Sequence, residues 1–307
     1  MSFAIQGVYC AAATPLKADG TPDLALFGRH AKALIDEGCH GIAMLGSTGE
    51  ASSFGVRERM DLVEAALKGG TLPGQLLPGT SSCAVTDAVE MTRHAVQAGV
   101  KGVVMLPPFY YTAFSDASLF RFYASIIEKV NDSRLKVILY HIPMLTGVPI
   151  SHELIAMLVK EFPDTVVGIK DSDGKIENMH AISARFPGFG VLAGADPLLL
   201  PVLQGGGAGC ITASSNVVAP ELRVVYDHWS DPSKAAEVKA AQDTIVAWRN
   251  LTNAYTQLPT VKTMLARRRG DMGWLNVHPP FSPLDRAEAE KVWAEMERLE
   301  ALQGAAA

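Results

Sequence analysis

The sequence alternates eight short apolar runs with longer amphipathic segments as far as about residue 229. Apolar runs rich in Val, Ile, Leu, Ala and Met are typical of strands that are buried on both faces of a parallel sheet. The predicted strands are Gly7–Leu16, Gly41–Gly46, Gln75–Ser81, Gly102–Pro108, Lys136–Pro143, Val166–Ser172, Gly188–Gly194 and Gly207–Ser214.

The segments between these runs have the spacing of helices with one apolar face. Asp23, Ser115 and Ser151 are predicted to cap three of them, because a short polar side chain can accept from the free N–H groups of a first turn. The predicted helices are Asp23–Glu37, Val56–Lys68, Val85–Ala98, Ser115–Val130, Ser151–Glu161, Lys175–Arg185, Pro197–Gln204 and Ala219–His228.

Eight strand–helix units predict a (β/α)8 barrel. A doubly wound open sheet is the alternative, but eight similar units are long for it. The remaining 78 residues are predicted to form three further helices, Ser233–Leu251, Val261–Arg269 and Arg286–Leu302, with no Pro-rich or Gly-rich linker before them. We therefore expect a catalytic barrel over residues 1–229 and a helical extension over residues 230–307 packed against it.

Composition narrows the classes of partner. The net charge of −5 argues against a nucleic-acid-binding protein or one that binds anionic membranes, since both require a cationic surface. The four cysteines lie far apart with no C-x-x-C pair, which indicates reduced thiols rather than disulfides or a thiolate zinc site. The segment Met1–Gln6 lacks the basic residues of a secretion signal. The uncharged stretch Pro197–Pro220 is interrupted by glycines and prolines, which argues against a membrane-spanning helix. A cytoplasmic protein is expected.

Barrel enzymes carry their chemistry where the strands end, on the carboxyl-terminal face. Polar residues end most of the predicted strands: Ser47 and Thr48, Tyr110, Tyr140, Lys170, Asp196, and Ser214 to Asn216. These side chains are the candidate site.

Lys170 ends the run Val166–Ile169, where a charged amine without a partner is costly. One interpretation is structural: Lys170 pairs with Asp171, Asp173 or another acid. The other is catalytic, because a desolvated lysine readily becomes a neutral nucleophile that attacks a carbonyl carbon and forms a Schiff base. The residue by itself leaves both open.

Three neighbouring motifs bear on this choice. Gly46-Ser47-Thr48-Gly49 is either an ordinary glycine-rich turn or a nest of backbone N–H groups that binds a carboxylate. Tyr140 ends the strand preceding that of Lys170 and is either a half-buried structural residue or a proton shuttle. His141 should point to the opposite side of that strand, and a structural role is expected for it. The eight histidines show no H-E-x-x-H grouping, so no metal site is predicted.

Five motifs together resemble the dihydrodipicolinate synthase/N-acetylneuraminate lyase family, and the resemblance extends from about Gly7 to the segment Pro279–Leu284. They are G-S-T-G-E at 46–50, P-F-Y at 108–110, Y-H-I-P-x-x-T-G at 140–147, G-I-K-D-S at 168–172 and G-A-D at 194–196. The resemblance implies a (β/α)8 lyase of the class I type, which acts on pyruvate or a 2-keto acid through a lysine Schiff base without metal or cofactor.

The same resemblance implies roles for individual residues. Lys170 would form the imine, Tyr140 would exchange protons beside it, and Thr48 would connect Tyr140 to Tyr110 lent by a neighbouring subunit. The family is usually a homotetramer built as a dimer of dimers. Substrate contacts would come from Ser47, Thr48, Gly194, Ile211, Leu145 and Asp196.

Two departures bear on the substrate. Synthases of the family commonly have an arginine at the position of Leu145, where it holds a substrate carboxylate, so a 4-hydroxy-tetrahydrodipicolinate synthase that condenses pyruvate with aspartate semialdehyde is the alternative rather than the first choice. Pro197 and Ala213 replace polar residues associated with sialic-acid binding. The preferred hypothesis is an aldolase or dehydratase for pyruvate, with an aldehyde partner, or for a 2-keto-3-deoxy acid. A non-catalytic barrel that binds a keto acid as a regulator is the alternative of another class.

Overall fold

The computed structural model describes residues 4–306, and side chains as far as residue 304. Met1–Phe3 and Ala307 lie outside the described residues. Met1–Phe3 is the first half of the segment Met1–Gln6, for which the sequence predicts no secretion signal. The strands are β1 Gly7–Cys10, β2 Gly41–Ile42, β3 Val103–Met105, β4 Val137–His141, β5 Val166–Asp171, β6 Gly190–Ala193 and β7 Gly209–Thr212. All pair in parallel, in the order β2-β1-β7-β6-β5-β4-β3.

The helices follow the predicted pattern closely. They are α1 Leu24–Asp36, α2 Val56–Lys68, α3 Val85–Gln97, α4 Asp116–Val130, α5 Pro143–Thr146, α6 His152–Glu161, α7 Ile176–Arg185, α8 Leu199–Gln204, α9 Ser215–His228, α10 Ala235–Thr252, α11 Gln257–Arg269 and α12 Arg286–Ala306. The three predicted caps are confirmed, since the side chains of Asp23, Ser115 and Ser151 each accept a hydrogen bond from the third residue that follows.

The predicted strand at Gln75–Ser81 is not a regular strand, but it occupies the eighth position of the barrel. Pro78 has no backbone N–H, so the ladder is reduced there to isolated bridges with β2 and with Val104. Four backbone hydrogen bonds still join this segment to both neighbours: Leu77 N to Ile42 O, Gly79 N to Met44 O, Val104 N to Pro78 O and Thr80 N to Val104 O. The sheet therefore closes into the predicted (β/α)8 barrel.

Side chains alternate between two cores. Along β4, Val137 and Leu139 belong to the large core between sheet and helices, whereas Ile138 and Tyr140 belong to a smaller core inside the barrel. Successive residues of a strand point to opposite faces, so one continuous apolar run can supply both cores. Tyr140 thereby enters the barrel interior.

The extension α10–α12 packs on the barrel mainly through α9, where α10 makes its largest contact. Residues 258–266 of α11 are all buried. Trp248 of α10 and Trp274 are among the largest fully buried side chains. Burial of this kind fixes α11 against the strand ends, where the candidate site lies.

Candidate active site

Lys170 and Tyr140 lie side by side on adjacent strands. They are paired residues in the register of β4 and β5, and the Lys170 ammonium nitrogen is 4.2 Å from the centre of the Tyr140 ring. Both side chains are buried, Lys170 with 5% and Tyr140 with 4% of its surface exposed. The structure therefore brings together the two residues on which the predicted chemistry depends.

The acids next to Lys170 in sequence are engaged elsewhere. The Asp171 carboxylate accepts from Asn178 Nδ2 at 2.8 Å and from the backbone N–H of Asp173 at 2.9 Å. Asp173 pairs with Lys175 at 2.6 Å. Lys170 itself forms no ion pair with any side chain in residues 4–304. The structural interpretation of Lys170, a lysine paired with Asp171, Asp173 or another acid, is wrong for residues 4–304: Asp171 points to the opposite face of β5, Asp173 pairs with Lys175, and no other acid lies within ion-pair distance.

The surroundings of Tyr140 favour its ionised form. Burial by itself raises the pKa of Tyr140, but the Lys170 ammonium and hydrogen bonds from Ser47, Lys170 and Ser172 outweigh burial, and the pKa lies below its ordinary value. A phenol of lowered pKa beside an amine can accept and return protons near that amine.

Ser172 is a site residue that the sequence interpretation missed. It follows Lys170 by two positions, so both side chains share one face at the strand end. The spacing of two residues in the motif G-I-K-D-S is sufficient to predict this from the sequence. Its backbone N–H donates to His141 O at 2.8 Å. His141 itself points to the helix side, as predicted, where its Nδ1 accepts from Ile150 N at 3.0 Å.

The turn at residues 46–50 has the features of an anion nest. Leu45, which precedes the turn, and Glu50, its last residue, adopt left-handed backbone conformations, with φ of 59° and 56°. Among residues 4–304, the backbone N–H groups of Ser47 and Thr48 donate to no protein acceptor. Ser47 is exposed and Thr48 is 9% exposed. Free N–H groups in such a turn are suited to binding a carboxylate.

Two further predicted substrate residues are Gly194, which packs against Ser172, and Ile211, which lies in the interior core. Gly194 donates its N–H to Asp171 O at 2.7 Å, and a Cβ there would lie 2.0 Å from Ser172 Oγ. No other residue fits at position 194 without moving Ser172. Ile211 belongs to the same interior core as Tyr140.

Tyr110 lies on the loop after β3, and Leu145 lies on the short helix α5, which leads into a second loop at Gly147. The two side chains are exposed, with 78% and 67% of their surface accessible. The Tyr110 ring packs edge-to-face against Tyr111, with centroids 5.2 Å apart. The two loops meet, since a Cβ on Gly147 would lie 3.1 Å from the methyl carbon of Thr112. The chain thus presents Tyr110 outward, and its role in a neighbouring subunit stays a prediction.

Asp196 has a different environment from the other predicted site residues. Its carboxylate is fully buried, and Oδ2 lies 3.2 Å from Arg249 Nη1 of α10. Oδ1 has no hydrogen-bond partner among the described residues. Asp196 therefore links the barrel to the extension, and its contact with substrate stays a prediction.

Fold and site together define a barrel protein with a buried lysine–tyrosine pair and an anion nest at its strand ends. The profile of the dihydrodipicolinate synthetase family matches residues 4–299. The chain belongs to this family, whose members are lyases. No helix among residues 4–306 is both long and apolar enough to span a membrane.

Individual relatives agree with this assignment. An "uncharacterized DapA-like lyase" of Chloroflexus aurantiacus is 31% identical over 296 residues, covering 96% of this chain and 97% of its own. A 4-hydroxy-tetrahydrodipicolinate synthase of Parasynechococcus marenigrum is 31% identical over 278 residues, covering 90% and 89%. Among solved structures, YagE of Escherichia coli K12 in complex with pyruvate superposes with a TM-score of 0.88 at 27% identity, covering 96% of this chain and 99% of its own.

Proposed function

We propose that this chain is a class I lyase that acts on pyruvate or a 2-keto-3-deoxy acid through a Schiff base on Lys170. The observation that carries the proposal is a buried lysine that has no acid partner among residues 4–304 and lies 4.2 Å from the centre of a tyrosine ring. An amine in this position is not neutralised by an ion pair, so it is available to a carbonyl carbon.

The chemistry follows from these groups. Tyr140 as phenolate takes a proton from the Lys170 ammonium, and the resulting amine attacks C2 of the keto acid. Tyr140 returns that proton to the C2 oxygen, which takes a second proton from the nitrogen and leaves as water, so that a protonated imine and the Tyr140 phenolate remain. The imine withdraws electrons from C3, so Tyr140 as phenolate removes a C3 proton and leaves an enamine nucleophile for an aldehyde. In reverse, the same electron sink permits cleavage of the C3–C4 bond, and in a dehydratase it permits loss of a β-hydroxyl.

The nest supplies the anchor for the substrate. The free N–H groups of Ser47 and Thr48, with their hydroxyls, would hold the keto-acid carboxylate, and Gly194 and Ile211 would contact the rest of the substrate. Binding the carboxylate away from the amine orients C2 toward Lys170 Nζ. The pyruvate complex of the YagE relative supports pyruvate as the keto acid.

A lysine-pathway synthase is the second candidate, because several relatives about 30% identical carry the name 4-hydroxy-tetrahydrodipicolinate synthase. Leu145 argues against it, since an exposed leucine provides no donor for the carboxylate of aspartate semialdehyde. Assay of cleavage and dehydration of 2-keto acids beside condensation with aspartate semialdehyde separates the two.

The proposal includes a homotetramer in which Tyr110 completes a neighbouring site. Its support is the exposure of Tyr110 and Tyr111 on the loop after β3. Mixing inactive Lys170→Ala and Tyr110→Phe subunits tests this directly. If Tyr110 acts in the neighbouring site, mixed dimers regain activity at one site; no recovery in confirmed mixed dimers would contradict it.

Borohydride trapping tests the function. Incubation with pyruvate and borohydride should add one reduced adduct per chain, on the peptide that carries Lys170. The adduct should be absent in Lys170→Ala and present in the control Lys175→Ala, which removes an exposed lysine five residues away. No adduct in the wild-type protein would refute the mechanism, and an adduct without turnover of any keto acid would favour the regulatory barrel.

A further inference from the structure

A buried ion pair lies directly behind the nest, and it has no part in the chemistry described so far. Glu50 ends the 46–50 turn, and Lys262 lies on α11, 212 positions later in the chain. Both side chains are fully buried, and the Lys262 ammonium donates to Glu50 Oε1. The same ammonium donates to the backbone oxygen of Asn276 at 2.6 Å.

The second carboxylate oxygen of Glu50 is also held. Oε2 accepts from the backbone N–H of His278 at 2.8 Å, and His278 Nδ1 lies 3.6 Å from it. The His278 ring packs edge-to-face on Phe54, with centroids 4.8 Å apart. Two separate segments of the extension therefore fix one carboxylate.

This carboxylate is coupled to the nest through a short stretch of backbone. Glu50 N donates to Ser47 O at 3.2 Å, and Thr14 Oγ1 donates to Gly49 O at 2.9 Å. Glu50 is held at a φ of 56°, a conformation that non-glycine residues rarely adopt without support. A shift of the carboxylate would move the free N–H groups of Ser47 and Thr48.

We propose that Glu50 and Lys262 are positioning residues that hold the nest in the geometry that binds the keto-acid carboxylate. The inference rests on the proposed function. A buried ion pair is weak evidence for stability, because desolvation offsets most of the attraction between its charges. The two charges attract each other strongly only in one arrangement, so the ion pair is suited instead to holding the backbone of the 46–50 turn in one conformation.

Three variants separate positioning from stability. Lys262→Met removes the ammonium. Glu50→Gln combined with Lys262→Met removes both charges and keeps an acceptor for His278 N–H. Glu50→Asp keeps both charges but shortens the link by one methylene. The matched control is Lys239→Met, which breaks an exposed pair with Asp243 on α10.

The readout is borohydride trapping as a function of pyruvate concentration, with folding checked by circular dichroism. In folded variants we expect the half-saturating pyruvate concentration to rise about 10- to 100-fold, as for small misplacements of binding groups. The trapping rate at saturation should stay within about twofold of wild type, because Lys170 and Tyr140 are intact. Lys239→Met should behave as wild type.

If any of the three variants folds and has the half-saturating pyruvate concentration of the wild type, the inference is overturned. The proposed function is unaffected in that case, provided that the wild-type protein forms the adduct. Absence of the adduct in wild type would instead refute the proposed function. If none of the three variants folds, the ion pair is required for folding rather than for positioning the nest, and the inference is overturned.

Discussion

Lys170 of β5 and Tyr140 of β4 are paired in register, and the ammonium nitrogen of the first lies 4.2 Å from the ring centre of the second. Parallel register places both residues at the same height on the inner face of the barrel. The cation and the phenol can therefore act on one substrate, as the proposed Schiff-base mechanism requires.

Replacing the buried amine should separate stability from function. Lys170→Met removes an ammonium that has no ion-pair partner among the described residues, so we expect a melting temperature equal to or above that of wild type and complete loss of the borohydride adduct. Lys262→Met is the contrast, because it leaves the buried Glu50 carboxylate without its counter-ion and should lower the free energy of unfolding by about 3–5 kcal/mol. Calorimetry measures both, and a large loss of stability in Lys170→Met would contradict the assignment.

Loss of the phenol should slow turnover without preventing imine formation. In Tyr140→Phe we expect the adduct on Lys170 to form while turnover falls by about 10²–10⁴, the usual contribution of a positioned acid or base. Tyr123→Phe is the matched control, since Tyr123 is fully buried on α4 and its hydroxyl has no partner among the described residues. Unchanged turnover in Tyr140→Phe would remove Tyr140 from the mechanism.

The pH profile should report the environment of Tyr140. If the phenolate is the base, the rate rises with pH through the pKa of Tyr140, which is below its ordinary value because the Lys170 ammonium and three hydrogen bonds outweigh burial. Ser172→Ala removes one of these hydrogen bonds, so the pKa should rise and the ascending limb of kcat against pH should move to higher pH. Ser233→Ala, on the extension, should leave the limb in place; an unmoved limb in Ser172→Ala would show that Ser172 does not tune Tyr140.

Introducing the arginine that synthases of the family commonly have at the position of Leu145 should increase activity toward aspartate semialdehyde. Leu145→Arg places a guanidinium at an exposed position of the short helix α5, so folding should be unaffected. A charge-assisted hydrogen bond to a substrate carboxylate would raise kcat/KM for aspartate semialdehyde about 10- to 100-fold, on the basis of about 1.5–3 kcal/mol for such bonds. Met144→Arg is the control, with a neighbouring exposed side chain. An equal gain in both variants would indicate nonspecific attraction of the anion.

Much of this architecture follows from local pattern. The eight apolar runs predicted the barrel, and polar strand ends predicted Lys170 and Tyr140, because strand ends of parallel units meet on one face. The apolar pattern of segment 75–81 predicts a regular strand. Its place in the barrel is as predicted, but the regular strand is absent because Pro78 removes a ladder hydrogen bond. Ser172 was within reach of the same period-two argument but was not singled out.

The sequence by itself determined the layering, the strand–helix order and the candidate lysine, since these depend on periodicities of two and 3.6 residues within short windows. Tertiary structure alone decided that Asn178 binds the Asp171 carboxylate, that Asp196 pairs with Arg249, and that Lys262 lies behind the nest. Lys262 and Glu50 are 212 positions apart, and no local pattern carries information about such a distance. Their meeting depends on barrel closure and on the packing of α11 over the strand ends, which are properties of the whole chain.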